Sequence, residues 1–226
     1  MKTVIIDEAT DHGINFQLAF ILGYNRSGGN IDTDVVPISG NSDTVQGLEL
    51  AKSYNCKVAV KSYTGASSVR PISDLYYPQT TLFMPTGANS VGEIYTIPIY
   101  PSLCVTGAGD VENETASQVE FIAPDPISAY FEPQDLSSYS NSYIAAQILF
   151  IADFLGCSIW EARVRARNTG SENGIFSKKN GYGFIDTAKA IAFTFPIKNL
   201  SQSNYNPFFL SGDKNLEFYK PFFLEA

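Results

Sequence analysis

The stretch from Ser140 to Gly156 constrains this chain more than any other. Ser140-Asn141-Ser142 gives way to an almost unbroken apolar run from Tyr143 to Leu155, and Gly156 closes it. Small polar residues favour helix N-termini and glycine favours the left-handed end, so the pattern predicts a helix that starts near Ser140, is capped by the Ser142 hydroxyl and stops at Gly156. A helix apolar on nearly every side has to be wrapped in protein. The alternative, a bilayer, needs about 20 apolar residues, and this run is shorter and carries Asp153. The fold therefore needs layers on more than one side of this helix. Its N-terminus, with free N–H groups and the positive end of the helix dipole, is the place to look for chemistry.

The segments on either side supply those layers. Val4-Ile5-Ile6 is a β-branched run suited to a strand buried on both faces, and it ends in Asp7. A helix follows from about Asp11, with Ile14, Leu18, Ile21 and Leu22 on one face and Gly23 as its expected terminator. Val35–Ser39 reads as a strand despite Pro37, Asp43-Thr44-Val45-Gln46 as a capped helix start, and Lys57–Lys61 as the next strand. Strand, helix and strand at these lengths make a parallel βαβ unit with a right-handed crossover. Residues 62–80 give no clear period and read as loop with at most a short helix. Further strands are expected at Thr81–Met84, Leu103–Gly107 and Val119–Pro124, and helices from Ser158 to about Arg167 and through Ala188–Ile191. The class is α/β.

Composition narrows the function. The formal charge is −8 and no Lys/Arg cluster occurs, which argues against nucleic acid as a partner. No apolar run approaches the length of a membrane span, so no membrane partner is expected. Cys56, Cys104 and Cys157 lack metal-ligand spacing and lie among apolar residues, as free buried thiols do. Neither a metal nor a cofactor is expected. The opening residues Met1–Asp7 turn acidic too early for a signal peptide, and cytoplasmic synthesis is the expectation.

The order of motifs resembles the subtilisin-like serine peptidases. Ile5-Ile6-Asp7 is similar to that family's strand ending in Asp, and Asp11-His12-Gly13 to its helix opening on His-Gly. Thr86-Gly87-Ala88-Asn89 is similar to its Gly-Asn turn, and Asn141–Gln147 stands where its nucleophile helix begins. Weaker matches run through Ser62–Gly65, Tyr100–Ala108, Phe121–Pro124, Arg167–Gly170 and Gly181–Asp186. The resemblance implies a three-layer αβα fold with a mostly parallel central sheet over residues 1–195. Residues 196–226 then form an aromatic extension that packs on the domain or on a partner.

The resemblance also assigns roles. Serine peptidase chemistry needs a hydroxyl nucleophile, an imidazole base held by a carboxylate, and donors for the oxyanion. His12 is the sole histidine. It becomes the base, Asp7 its orienting carboxylate with Asp11 as rival, and Asn89 the oxyanion donor. Counting back from Ala145-Ala146 puts Tyr143 in the nucleophile position, with Ser142 beside it and Gln147 replacing the family's Pro. The expected function is a catalytically inactive subtilisin-like domain that serves as a structural or protein-binding module, with a protein partner or a larger assembly. The alternative is an active hydrolase that uses Asp7, His12 and Ser142.

Overall fold

The computed structural model describes residues 3–62, 66–85, 101–108, 119–123, 126, 136–176 and 180–195. Among the described residues five parallel strands form one sheet in the order β1 (Thr3–Ile6), β2 (Val58–Lys61), β3 (Thr81–Pro85), β4 (Leu103–Ala108) and β5 (Phe121–Ala123). Three helices precede or interleave with the first strands: α1 (Asp11–Arg26), α2 (Thr44–Ser53) and α3 (Ala66–Asp74). Three more follow the sheet: α4 (Leu136–Leu155), α5 (Ile159–Thr169) and α6 (Thr187–Ala192).

Alternation along each strand divides the interior into two cores. Val4, Ile6, Ala59, Leu82, Met84, Leu103 and Val105 pack with Leu48, Ala51 and Val69, under α2 and α3. Ile5, Val58, Val60, Phe83, Cys104 and Phe121 point the other way, onto α1 and α4. A sheet covered on both faces explains why the strands read as continuous apolar runs and not as alternating ones. The helix predicted as central is central. It touches α1, α5, α6 and strands β2 to β5, and Ile144, Ala145, Ala146, Ile148, Leu149, Ile151 and Ala152 are fully buried. Its one interior carboxylate, Asp153, accepts the Tyr24 hydroxyl at 2.9 Å and the Lys57 ammonium at 3.2 Å.

Three local expectations need correction. The strand at Val35–Ser39 shrinks to a 3₁₀ turn at Thr33–Val35 and one parallel bridge, Ile5 to Ile38. Pro37 has no N–H for a ladder, and only its carbonyl is used, by the Ile5 N–H at 2.9 Å. Gly23 does not end α1, which runs on to Arg26. A Cβ there would stand 2.7 Å from the Tyr143 carbonyl oxygen and 3.0 Å from the Ala146 Cβ, so this glycine lets α1 and α4 touch. Finally, α4 begins at Leu136, four residues before Ser140, and Ser142 is therefore not its cap. The Ser142 hydroxyl instead donates to the Phe16 carbonyl at 2.7 Å. The turn-rich 62–80 segment does contain a helix, α3. Residues 196–226 lie outside the described residues.

The capped starts at Asp43 and Ser158 behave as predicted, accepting the Gln46 N–H at 2.9 Å and the Glu161 N–H at 3.0 Å. Asp186 caps α6 in the same way, accepting the Lys189 N–H at 3.0 Å. Gly156 takes the left-handed φ of 67° expected after α4.

Behind β4 and β5 lies a buried charge cluster. Arg163 places Nε 3.0 Å and Nη2 2.5 Å from the two Glu120 carboxylate oxygens. Two further N–H groups donate to the Pro101 and Leu103 carbonyls, each at 3.0 Å. Arg167 Nε meets the same carboxylate at 2.8 Å, and both guanidiniums lie over the Trp160 ring at 5.1 and 4.6 Å. Trp160, on the first turn of α5, is thus a buried core contact. Burial pushes the Glu120 carboxyl up, but the two guanidiniums outweigh it and hold it below its ordinary value. A depressed carboxyl contributes stability that is complete above the unfolded value near ~4.3 and is lost as pH falls through the folded one.

Replacing Glu120 by Gln leaves two buried cations facing one neutral amide. The expected loss is about 3–5 kcal/mol in urea unfolding at pH 7, shrinking as the wild type is acidified below about pH 4. A loss under about 1 kcal/mol at pH 7 contradicts the pairing. The thiols offer a second check. Burial raises Cys56 and Cys157 to about 11 and Cys104 well above its ordinary value. At pH 8 a disulfide reagent is therefore expected to leave all three unmodified in the folded protein and to titrate three after denaturation.

Candidate active site

Chain direction creates a crevice at the sheet's carboxyl edge. From β1 the chain moves through α1 to the Ile38 bridge on one side, then returns through α2 to β2 on the other. Right-handed crossovers that run in opposite directions along a sheet place their helices on opposite faces, and ligands bind where that direction reverses. Here the reversal lies between the carboxyl ends of β1 and β2. Asp7 directly follows β1, and Ser62 directly follows β2.

Asp7 and His12 meet there. The His12 Nδ1 lies 2.7 Å from the Asp7 Oδ2, and the Glu8 N–H donates to the other carboxylate oxygen at 2.7 Å. Asp7 is 1% exposed and His12 28%. A buried carboxylate on Nδ1 favours the tautomer that carries its proton there and makes Nε2 the nitrogen that accepts one. The rival carboxylate, Asp11, is exposed on the first residue of α1. The tight link from strand to helix depends on Gly13, because a Cβ at that position would stand 2.0 Å from the Glu8 carbonyl oxygen.

The first turns of α4 come down beside this pair. The Ser138 hydroxyl donates to the Ser62 carbonyl at 2.9 Å, and the Tyr139 ring lies 5.4 Å from the His12 ring. One turn on, the Asn141 amide donates to the Lys61 carbonyl at 3.0 Å and accepts the Thr106 hydroxyl at 2.7 Å. Serine and asparagine often compete with helix backbone for hydrogen bonds. In α4 their side chains are spent on β2, β4 and α1 and fix the helix's height above the sheet edge. On the opposite face of β2, burial lowers the Lys61 ammonium from its ordinary value, against the pull of Asp43, and its Nζ donates to the Thr44 hydroxyl at 2.5 Å.

The structure thus brings Asp7 and His12 together and separates both from the other assigned residues. Ser142 is fully buried with its hydroxyl on Phe16. Tyr143 does not occupy the space beside His12. Its backbone lies on Gly23, eleven residues further along α1, or about 16 Å at 1.5 Å per residue. Asn89 lies outside the described residues. Ser138 and Tyr139 did not stand out in the sequence, because four serines crowd this segment. A signal existed in Asp135, a cap-type residue immediately before Leu136. Among the described residues no group of three His, Cys, Asp or Glu side chains could hold a metal ion, and no single helix is long and apolar enough to cross a membrane.

No family model matches the sequence, and no curated protein matches it. Solved structures do match. The MycP3 protease from the type VII (ESX-3) secretion system superposes with a TM-score of 0.57 at 12% identity, over 84% of this chain and 82% of that one. Fervidolysin from Fervidobacterium pennivorans, a keratinolytic enzyme related to subtilisin, gives 0.53 at 16% identity over 72% and 32%. The patellamide maturation protease PatG gives 0.51 at 13% identity over 69% and 58%. The fold is subtilisin-like. The chain spans 58% of the PatG chain it matches, and at such identities the likeness establishes the fold alone. Within that subtilisin-like fold, the Asp after the first strand and the His on the next helix are in contact, as the sequence resemblance implied.

Gly13→Ala tests how the pair is held. The added methyl is expected to cost about 1–3 kcal/mol in urea unfolding, as overpacking does, and to shift the single histidine's NMR resonances. Unchanged resonances and stability rule out the close approach.

Proposed function

We propose that this chain is a serine hydrolase acting on peptide bonds, with Ser138 as nucleophile, His12 as general base and Asp7 as the carboxylate that orients it. One observation carries the reading. The Ser138 hydroxyl sits on the first turn of α4, bonded to the carbonyl that follows β2, while the next residue lies against the His12 ring. Because β1 and β2 are paired neighbours, this puts the hydroxyl one strand away from Asp7.

The chemistry follows from the groups present. His12 Nε2 takes the Ser138 proton as Oγ attacks the carbonyl carbon, and Asp7 stays ionised and stabilises the imidazolium. His12 then gives that proton to the leaving amine as the C–N bond breaks, leaving an ester on Ser138. Water, deprotonated by His12, hydrolyses that ester and restores the hydroxyl. N–H groups at the start of α4 and the helix dipole favour the oxyanion. Asn89 keeps, within this proposal, the donor role that the resemblance gives it.

A second reading has its own support. Ser138 is only 4% exposed and its hydroxyl is bonded to a backbone carbonyl, which favours a catalytically inactive module that binds a protein partner. A fluorophosphonate probe separates the two. The hydrolase is expected to label once, at Ser138 by peptide mapping, with the rate falling about 10⁴-fold or more in His12→Ala and Ser138→Ala. No labelling of the wild type favours the binding module and overturns the hydrolase; labelling at Ser142 overturns the assignment of the nucleophile.

A further inference from the structure

We infer that Tyr139 is the positioning residue of this site: its ring holds the His12 imidazole in the orientation from which it serves Ser138. The inference rests on the reading of Asp7, His12 and Ser138 as a catalytic set. Asp7 holds one end of the imidazole, through Nδ1 at 2.7 Å. The plane of the ring about that bond sets where Nε2 lies, the atom that must meet the serine hydroxyl.

Aromatic rings from α1 and α4 limit the imidazole's rotation. Phe16, one turn along α1, lies 6.2 Å from the His12 ring with planes 15° apart. Tyr139 lies closer, at 5.4 Å with planes 32° apart, and comes from a different helix. Both residues are buried, so neither ring is free to swing away. Aromatic pairs at these separations are attractive beyond the area they bury. A π-face also favours a cation, so Tyr139 stabilises the imidazolium formed when His12 takes the proton. Its place in the sequence gives it a second effect. Tyr139 adjoins Ser138 on the same helical turn, so the contact that orients the base also sets the distance between base and nucleophile. Burial of the ring within the α1–α4 core transmits any shift of α4 to both groups together.

The sole histidine makes this testable apart from catalysis, because one set of imidazole resonances reports His12. Tyr139→Phe keeps the ring, while Tyr139→Leu keeps the core filled and removes the π-face. The inference expects Tyr139→Phe to label with fluorophosphonate near the wild-type rate. Tyr139→Leu, folded by circular dichroism, is expected to label about 10–100-fold more slowly, as a misplaced catalytic group does, and to lose the ring-current shift of the His12 Cε1–H. A Tyr139→Leu variant with wild-type labelling and unmoved His12 resonances overturns the inference. If the wild type does not label, the hydrolase reading falls and the resonances decide alone: a shift in Tyr139→Leu but not in Tyr139→Phe supports the positioning contact, and no shift overturns it.

Discussion

The contact between α1 and α4 is the constraint on which the rest of this molecule depends. Gly23 removes the side chain that would keep the helices apart, and the Ser142 hydroxyl satisfies a carbonyl of α1. The Tyr24 phenol reaches across to Asp153, and the Tyr24 and Phe150 rings meet edge to face at 5.5 Å. Once these are in register, the N-terminal turn of α4 has one position relative to the start of α1. That position places the Tyr139 ring beside His12 and the Ser138 hydroxyl on the Ser62 carbonyl. Packing far from the crevice therefore sets the geometry inside it, and the site is only as well defined as the helix pair behind it.

The sheet contributes the other coordinate. Asp7 and Ser62 end adjacent parallel strands in register, with Ile6 opposite Lys61. The reversal of chain direction at β1 leaves the space above them open to side chains from both α1 and α4. The buried Glu120 cluster supports the far side of the sheet, where Arg163 links α5 to carbonyls before and within β4. A buried ion cluster of this kind adds little net stability over apolar packing, but it leaves few alternative arrangements for the groups it joins.

Much of this was legible before any coordinates. The buried helix, the parallel α/β class and five of the strand positions follow from local patterns. Two neighbouring elements joined by four residues cannot lie far apart, which keeps Asp7 and His12 close, and the family resemblance implied that the carboxylate and the imidazole meet. The misreadings share a cause. Gly23 looks like a terminator because glycine ends helices, yet it serves a tertiary contact. Ser142 looks like a cap because serine caps helices, yet its partner is a carbonyl 126 residues away in sequence. The buried partners of Glu120 left no local trace at all, since attraction between Glu120 and Arg163 acts across 43 residues.

What the sequence determined by itself was the set of elements and their order: apolar periodicity, cap residues and connection length act within a few residues and can be read there. Where the serines of this segment point was decided only in the tertiary structure, which sets Ser138 on the Ser62 carbonyl and Ser142 on the Phe16 carbonyl. Successive helix positions are rotated about 100° from one another, so a register error of one residue sends a side chain elsewhere. Nothing within α4 sets that register. It is fixed by partners on α1, β2 and β4, and those meet the helix only when the whole chain has folded.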